Sequence, residues 1–103
     1  MQVEHWDPRD GTLTEAALRR KLEARGYRVW CYRYAPGTVF PLHTHDVDKL
    51  DAVLSGRFRI TMGHDSVVLE AGDLLAVPRG AAHSAEVVGD EAVVSLDAVK
   101  DPT

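Results

Sequence analysis

From Tyr27 to Ala98 the chain is a succession of short apolar runs, each closed by turn-forming residues. The breaks are Pro36-Gly37, Ser55-Gly56, Gly63-His64-Asp65-Ser66, Ala71-Gly72-Asp73 and Pro78-Arg79-Gly80. Runs this short leave no room for helices of ordinary length and predict strands instead. The strands fall at Tyr27–Ala35, Val39–His45, Leu50–Leu54, Arg57–Met62, Val67–Glu70, Leu74–Val77, His83–Val88 and Ala92–Ala98. Turns every eight to twelve residues imply an all-β sandwich or barrel.

The N-terminal quarter reads differently. Residues 1–11, with Pro8, Asp10 and Gly11, look like a loosely ordered arm. Thr12 to Arg25 has the pattern of a helix: Leu13, Ala17, Leu18 and Leu22 recur on one face, and Arg19, Arg20, Lys21, Glu23 and Arg25 fill the other. Thr12 followed by Glu15 fits a capping box, and Gly26 fits a left-handed helix end. The expected organisation is one domain, with an arm and helix over 1–26 and a β-barrel over 27–100. Lys100 to Thr103 read as a frayed end.

Composition removes several functional classes. A chain of 103 residues holds one domain and buries roughly 60–70% of its unfolded surface, enough for one core. The lone Cys31 cannot form an internal disulfide, which excludes a bridge-held secreted scaffold. No apolar run approaches the ~18–20 residues of a membrane span, and Met1 to Asp10 lacks the basic-then-apolar texture of a signal peptide. A net charge of −4 with no dense Lys/Arg cluster argues against nucleic-acid or membrane partners. The expectation is a soluble, cytoplasmic protein.

Among five histidines, three are spaced for joint use. His43 and His45 are two apart on an expected strand, so both side chains leave one face. His83 starts a strand after the Pro78-Arg79-Gly80 turn and can approach them across a barrel. Three neutral imidazoles would leave open positions on Fe²⁺, Mn²⁺, Ni²⁺, Zn²⁺ or Cu²⁺. The plainer alternative is a pair of surface histidines on a polar strand face, since HxH alone carries little weight. His5 and His64 are expected to face solvent, and Cys31 to sit in the core. Arg57 and Arg59 alternate on a strand and suit either a carboxylate substrate or an exposed outer face. Trp30, Tyr32, Tyr34 and Phe40 are expected to line the core or a subunit contact.

The stretch Gly37-Thr38-Val39-Phe40-Pro41-Leu42-His43-Thr44-His45, closed by Gly56, resembles the first motif of the cupin superfamily. Gly72-Asp73-Leu74-Leu75-Ala76-Val77-Pro78-Arg79-Gly80-Ala81-Ala82-His83 resembles the second. The resemblance implies a small antiparallel jelly-roll β-barrel with a divalent transition metal inside one end, held by His43, His45 and His83. Two positions depart from the family's pattern. Lys49 stands where the resemblance places a glutamate ligand, and Val87 where an asparagine often ends the second motif.

Strand parity puts Lys49 and Asp51 on the same side as the histidines. A lysine ammonium near a divalent cation requires relief. Asp51 can pair with it, Asp51 or Asp48 can replace the missing carboxylate, Lys49 can swing out along its stem, or the ammonium can itself take the metal's place. Lys49 and Asp51 are thus the candidate catalytic residues. Small cupins that oxidise thiols or cleave β-diketones use three histidines around ferrous iron without the glutamate, so the ligand set resembles theirs. Three functions follow: a metal-dependent enzyme such as a dioxygenase on a small organic substrate, a non-catalytic small-molecule-binding cupin, or a metal-free isomerase or lyase using Lys49 as base or Schiff-base amine. Cupins are frequently dimers, and the arm and helix suit packing against a second copy, so a homodimer is expected. The alternative is a helix folded back on its own barrel.

Overall fold

The computed structural model describes residues 1–100. Of the end expected to fray, Lys100 closes the last strand and residues 101–103 lie outside the described part. In chain order come β1 (Val3–Glu4), a 3-10 turn (Pro8–Asp10), α1 (Glu15–Ala24), β2 (Arg28–Tyr34), β3 (Val39–His43), β4 (Asp48–Ser55), β5 (Arg57–Met62), β6 (Asp65–Leu69), β7 (Leu74–Val77), β8 (His83–Val88) and β9 (Val93–Lys100). They form two antiparallel sheets, β1-β7-β4-β9-β2 and β3-β8-β5-β6. The sheets face each other as a jelly roll whose barrel is not strictly closed, as hydrogen-bonded pairing stays within each sheet.

Alternation along β4 and β9 separates two apolar clusters. Val53 and Val93 join Phe58, Ile60, Leu69, Leu75, Ala85 and Val87 between the sheets. Leu50, Ala52, Leu96 and Ala98 point the other way, onto Leu18 and Leu22 of α1. The helix therefore folds back on the outer face of its own five-stranded sheet. Leu18 and Leu22 are fully buried there, each contributing on the order of 1.5–3 kcal/mol.

The ends of α1 differ from expectation at the start and agree at the finish. Thr14, not Thr12, is the N-cap: its hydroxyl accepts from the Ala17 N–H, so the Thr12–Glu15 box does not form and the helix begins at Glu15. At the other end Gly26 (φ +90°) donates to the Glu23 carbonyl and Tyr27 to the Leu22 carbonyl, the paired bonds of a Schellman stop.

The arm is pinned rather than loose. Val3–Glu4 pairs with Leu74–Leu75, Trp6 donates to the Gly11 carbonyl, and the Lys21 ammonium lies 5.0 Å from the Trp6 ring. Glu4 ion-pairs with Arg25, and Asp10 lies 2.6 Å from Lys21. At Gly72 (φ +88°) a Cβ would lie 2.7 Å from the Trp6 Cβ, so this glycine admits the arm against the β6–β7 turn.

Candidate metal centre

β3 carries a bulge that builds one wall of the site. Phe40 pairs with Ala85 and His43 with His83, with Pro41 and Leu42 taking up the slip. Phe40 and His43 are three apart and would face opposite sides of a regular strand. The bulge turns both inward, and its proline sits on an edge strand where no ladder donor is needed. The strand ends at His43, so His45 enters the site from the loop before β4, not from the strand predicted through it. That loop is tied to the β7–β8 turn: the Gly80 N–H donates to the His45 carbonyl at 2.8 Å. In the same place the Arg79 N–H donates to an Asp48 carboxylate oxygen at 2.8 Å.

The three rings converge, with centroids 4.7 Å (His43–His45), 4.2 Å (His43–His83) and 5.1 Å (His45–His83) apart. One nitrogen from each lies within 4.8 Å of the others. Backbone carbonyls fix two tautomers. His43 Nδ1 lies 2.6 Å from the Pro41 oxygen and His83 Nδ1 lies 2.9 Å from the Ala81 oxygen. A carbonyl only accepts, so both Nδ1 atoms carry a proton, and in the neutral ring the lone pair then sits on Nε2. His45 Nε2 is buried with no hydrogen-bond partner. Burial is the main cause holding His45 and His83 below the ordinary imidazole value; the Lys49 charge adds to it at both. Three converging imidazoles, two with Nδ1 tied to carbonyls and one with an orphaned buried nitrogen, are what a borderline metal ion takes up.

The histidines open onto a cavity of about 230 Å³ lined also by Tyr32, Tyr34, Phe40, Lys49, Asp51, Phe58, Ala85, Ser95 and Asp97. Lys49 and Asp51 face it, as parity predicted. The lysine does not swing out: its side chain is 11% exposed, and its Nζ lies 2.6 Å from Asp97 Oδ1. Its ion-pair partner is thus Asp97 rather than Asp51. The Lys49 contact is an ion pair by distance only, because Asp97 Oδ1 still lacks a hydrogen-bond donor. Asp51, opposite Asp97 in the β4–β9 register, is buried. Burial, and then the Asp97 carboxylate against the pull of Lys49, raise its pKa to about 6. Neither Asp51 nor Asp48 joins the histidine group as a replacement carboxylate. Burial, then Asp97 and Asp51, push the Tyr34 hydroxyl up to about 12, so it stays a donor.

Asp97 and Ser95 are cavity residues that the sequence reading passed over. Their signal was available: they alternate as the polar residues of Val93-Val94-Ser95-Leu96-Asp97-Ala98-Val99, an otherwise apolar strand. Arg57 and Arg59 lie outside the cavity, 3.5 Å from Glu70 and 2.5 Å from Glu86. Cys31 is half-buried beside Glu15, and His5 sits exposed against Asp73. Tyr34 and Phe40 pack on the inner core, whereas Trp30 and Tyr32 remain exposed.

Comparison with known proteins agrees with this architecture. The profile of the family described as a cupin domain matches residues 30–99. Nitrosourea synthase of Streptomyces achromogenes is 33% identical over 66 residues, 63% of this chain but only 14% of that enzyme. A cupin-2 domain protein from Shewanella frigidimarina superposes with a TM-score of 0.62 at 21% identity, covering 97% of this chain and 83% of that one. The DMSP lyase DddQ from Ruegeria pomeroyi gives 0.67 at 22% identity, over 74% and 39% of the two chains. No described helix is long and apolar enough to cross a membrane. Two facing sheets, a histidine cluster at the motif positions and a profile match over most of the chain place this protein in the cupin-domain family.

Proposed function

We propose that His43, His45 and His83 bind a divalent transition metal ion through their Nε2 atoms and that the cavity beside them receives a small organic substrate. One observation carries this reading: two Nε2 lone pairs are set by backbone carbonyls, and the third belongs to a buried nitrogen with no other partner. The repulsion expected from Lys49 is offset by Asp97 at 2.6 Å, so the cluster beside the histidines carries no net positive charge. When bound, such an ion polarises a carbonyl or activates dioxygen at an open position. Phe40, Phe58, Tyr34 and Ala85 keep water from the substrate's apolar part, while Lys49, Asp51 and the Tyr34 hydroxyl offer it polar contacts. That relatives include a nitrosourea synthase and a DMSP lyase supports an enzyme without choosing the reaction.

The test is metal content by elemental analysis, joined to thermal unfolding with added Zn²⁺, Mn²⁺, Ni²⁺ and anaerobic Fe²⁺. About one equivalent of metal and a stabilisation near 2.7 kcal/mol at a hundredfold excess over Kd are expected. His43→Ala should lose both. Absence of metal and of stabilisation, or retention of both in His43→Ala, overturns the reading. A small ligand that raises the melting temperature without turnover would favour a non-catalytic binding cupin.

A further inference from the structure

The cavity's charges and shape say more about its ligand than the histidines do. Lys49 brings three N–H donors into a partly open cavity with Tyr32, Tyr34, Phe40 and Phe58 in its wall. Asp97 is its one ion-pair partner among the described residues, and their contact leaves Asp97 Oδ1 without a directed hydrogen bond. Asp97 thus engages part of the ammonium's charge, while no described group takes a directed hydrogen bond from it. The three histidines line the same cavity, and the Lys49 charge is felt at His45 and His83, so a ligand there would meet both Lys49 and the metal.

Resting on the metal reading above, we infer that Lys49 anchors the acidic group of a small organic acid whose apolar part packs against Tyr34, Phe40 and Phe58. Size sets the first expectation: the part of the ligand held beside the histidines and Lys49, in a cleft of about 230 Å³, is a short chain or a single ring. Charge sets the second. An aromatic wall beside Asp51 and Asp97 would suit an organic cation if it stood alone. A divalent ion together with Lys49 outweighs two carboxylates, and the balance favours an anion. A charge-assisted hydrogen bond from a partly buried ammonium then distinguishes an acid from its neutral amide.

Benzoate, benzamide and benzamidinium share one shape and differ in charge, and they serve as probes of zinc-loaded protein by calorimetry, with zinc counted first. Benzoate should bind at least about tenfold tighter than benzamide, and benzamidinium weakest of the three. Lys49→Gln should cost benzoate about tenfold or more and benzamide clearly less, with zinc content still near one equivalent. Asp97→Asn, which frees the ammonium, should tighten benzoate. The inference is overturned if benzamidinium binds tightest, if none of the three binds, or if Lys49→Gln keeps the full benzoate affinity. A protein that takes up none of Zn²⁺, Mn²⁺, Ni²⁺ or Fe²⁺ refutes the metal reading and this inference with it, and the metal count alone tells that failure from the others; if another of these ions binds in place of zinc, the probes are run with that ion.

Discussion

Reversing the charge at position 49 probes the cavity's electrostatics and its relation to the histidines together. In Lys49→Glu the ion pair at 2.6 Å from Asp97 is lost, and a third carboxylate enters a space already holding Asp51 and Asp97. Removing one partner of a fully buried pair costs about 3–5 kcal/mol, and this largely buried pair, 11% and 23% exposed, stands towards the lower end. Two like charges about 4 Å apart repel by about 4 kcal/mol at an effective dielectric near 20. Proton uptake relieves part of this, since Asp51 is already raised to about 6 by burial and by Asp97. The metal-free variant should therefore lose about 3–5 kcal/mol at neutral pH in urea unfolding. Added Zn²⁺ should reverse the order of effects, because the new carboxylate faces the metal ligands: the ion should stabilise Lys49→Glu more than the parent protein. Lys49→Gln, with no added carboxylate, separates the lost pair from the new repulsion. A metal-free loss below about 1 kcal/mol would mean that Lys49 and Asp97 are not paired in solution. Equal zinc stabilisation of parent and variant would mean that position 49 does not face the histidines.

Two further perturbations test the frame and the buried acid. Thr14→Ala should cost about 1 kcal/mol through the lost N-cap, whereas Thr12→Ala should stay within about 0.5 kcal/mol in the same unfolding assay; the reverse ranking would restore the capping box at Thr12. For Asp51 the folded pKa is raised from 3.8 to about 6, so the fold holds this proton more tightly than the unfolded chain. Its stabilisation is complete below the unfolded value and is lost as pH rises through about 6, a change of up to about 3 kcal/mol. Asp51→Asn should flatten stability between about pH 4 and 6, and a slope equal to the parent's would contradict the burial of that carboxylate.

Much of this architecture was legible in the chain, and the losses have physical causes. Arg57–Met62, Leu74–Val77 and His83–Val88 match residue for residue because turn residues close them tightly and apolar patterning fills them. The arm's two-residue strand has no periodicity to read and exists only because β7 offers an edge. The bulge at Pro41–Leu42 is a property of pairing with β8, invisible along β3 alone, and it is what lets Phe40 and His43 share the inner face. Lys49 and Asp51 were placed correctly by parity. Their true neighbour was not, because Asp97 reaches them through a β4–β9 register between strands far apart in sequence. The histidine spacing was visible, but its convergence depends on the loop carrying His45 and on its tie to Gly80.

The most direct test of the account is a crystal of metal-loaded protein with anomalous data collected at the metal edge. One ion bound by Nε2 of His43, His45 and His83, with the Lys49 ammonium still beside Asp97, is the expected result. An ion held elsewhere, or an ammonium standing among the three imidazoles in its place, would contradict it.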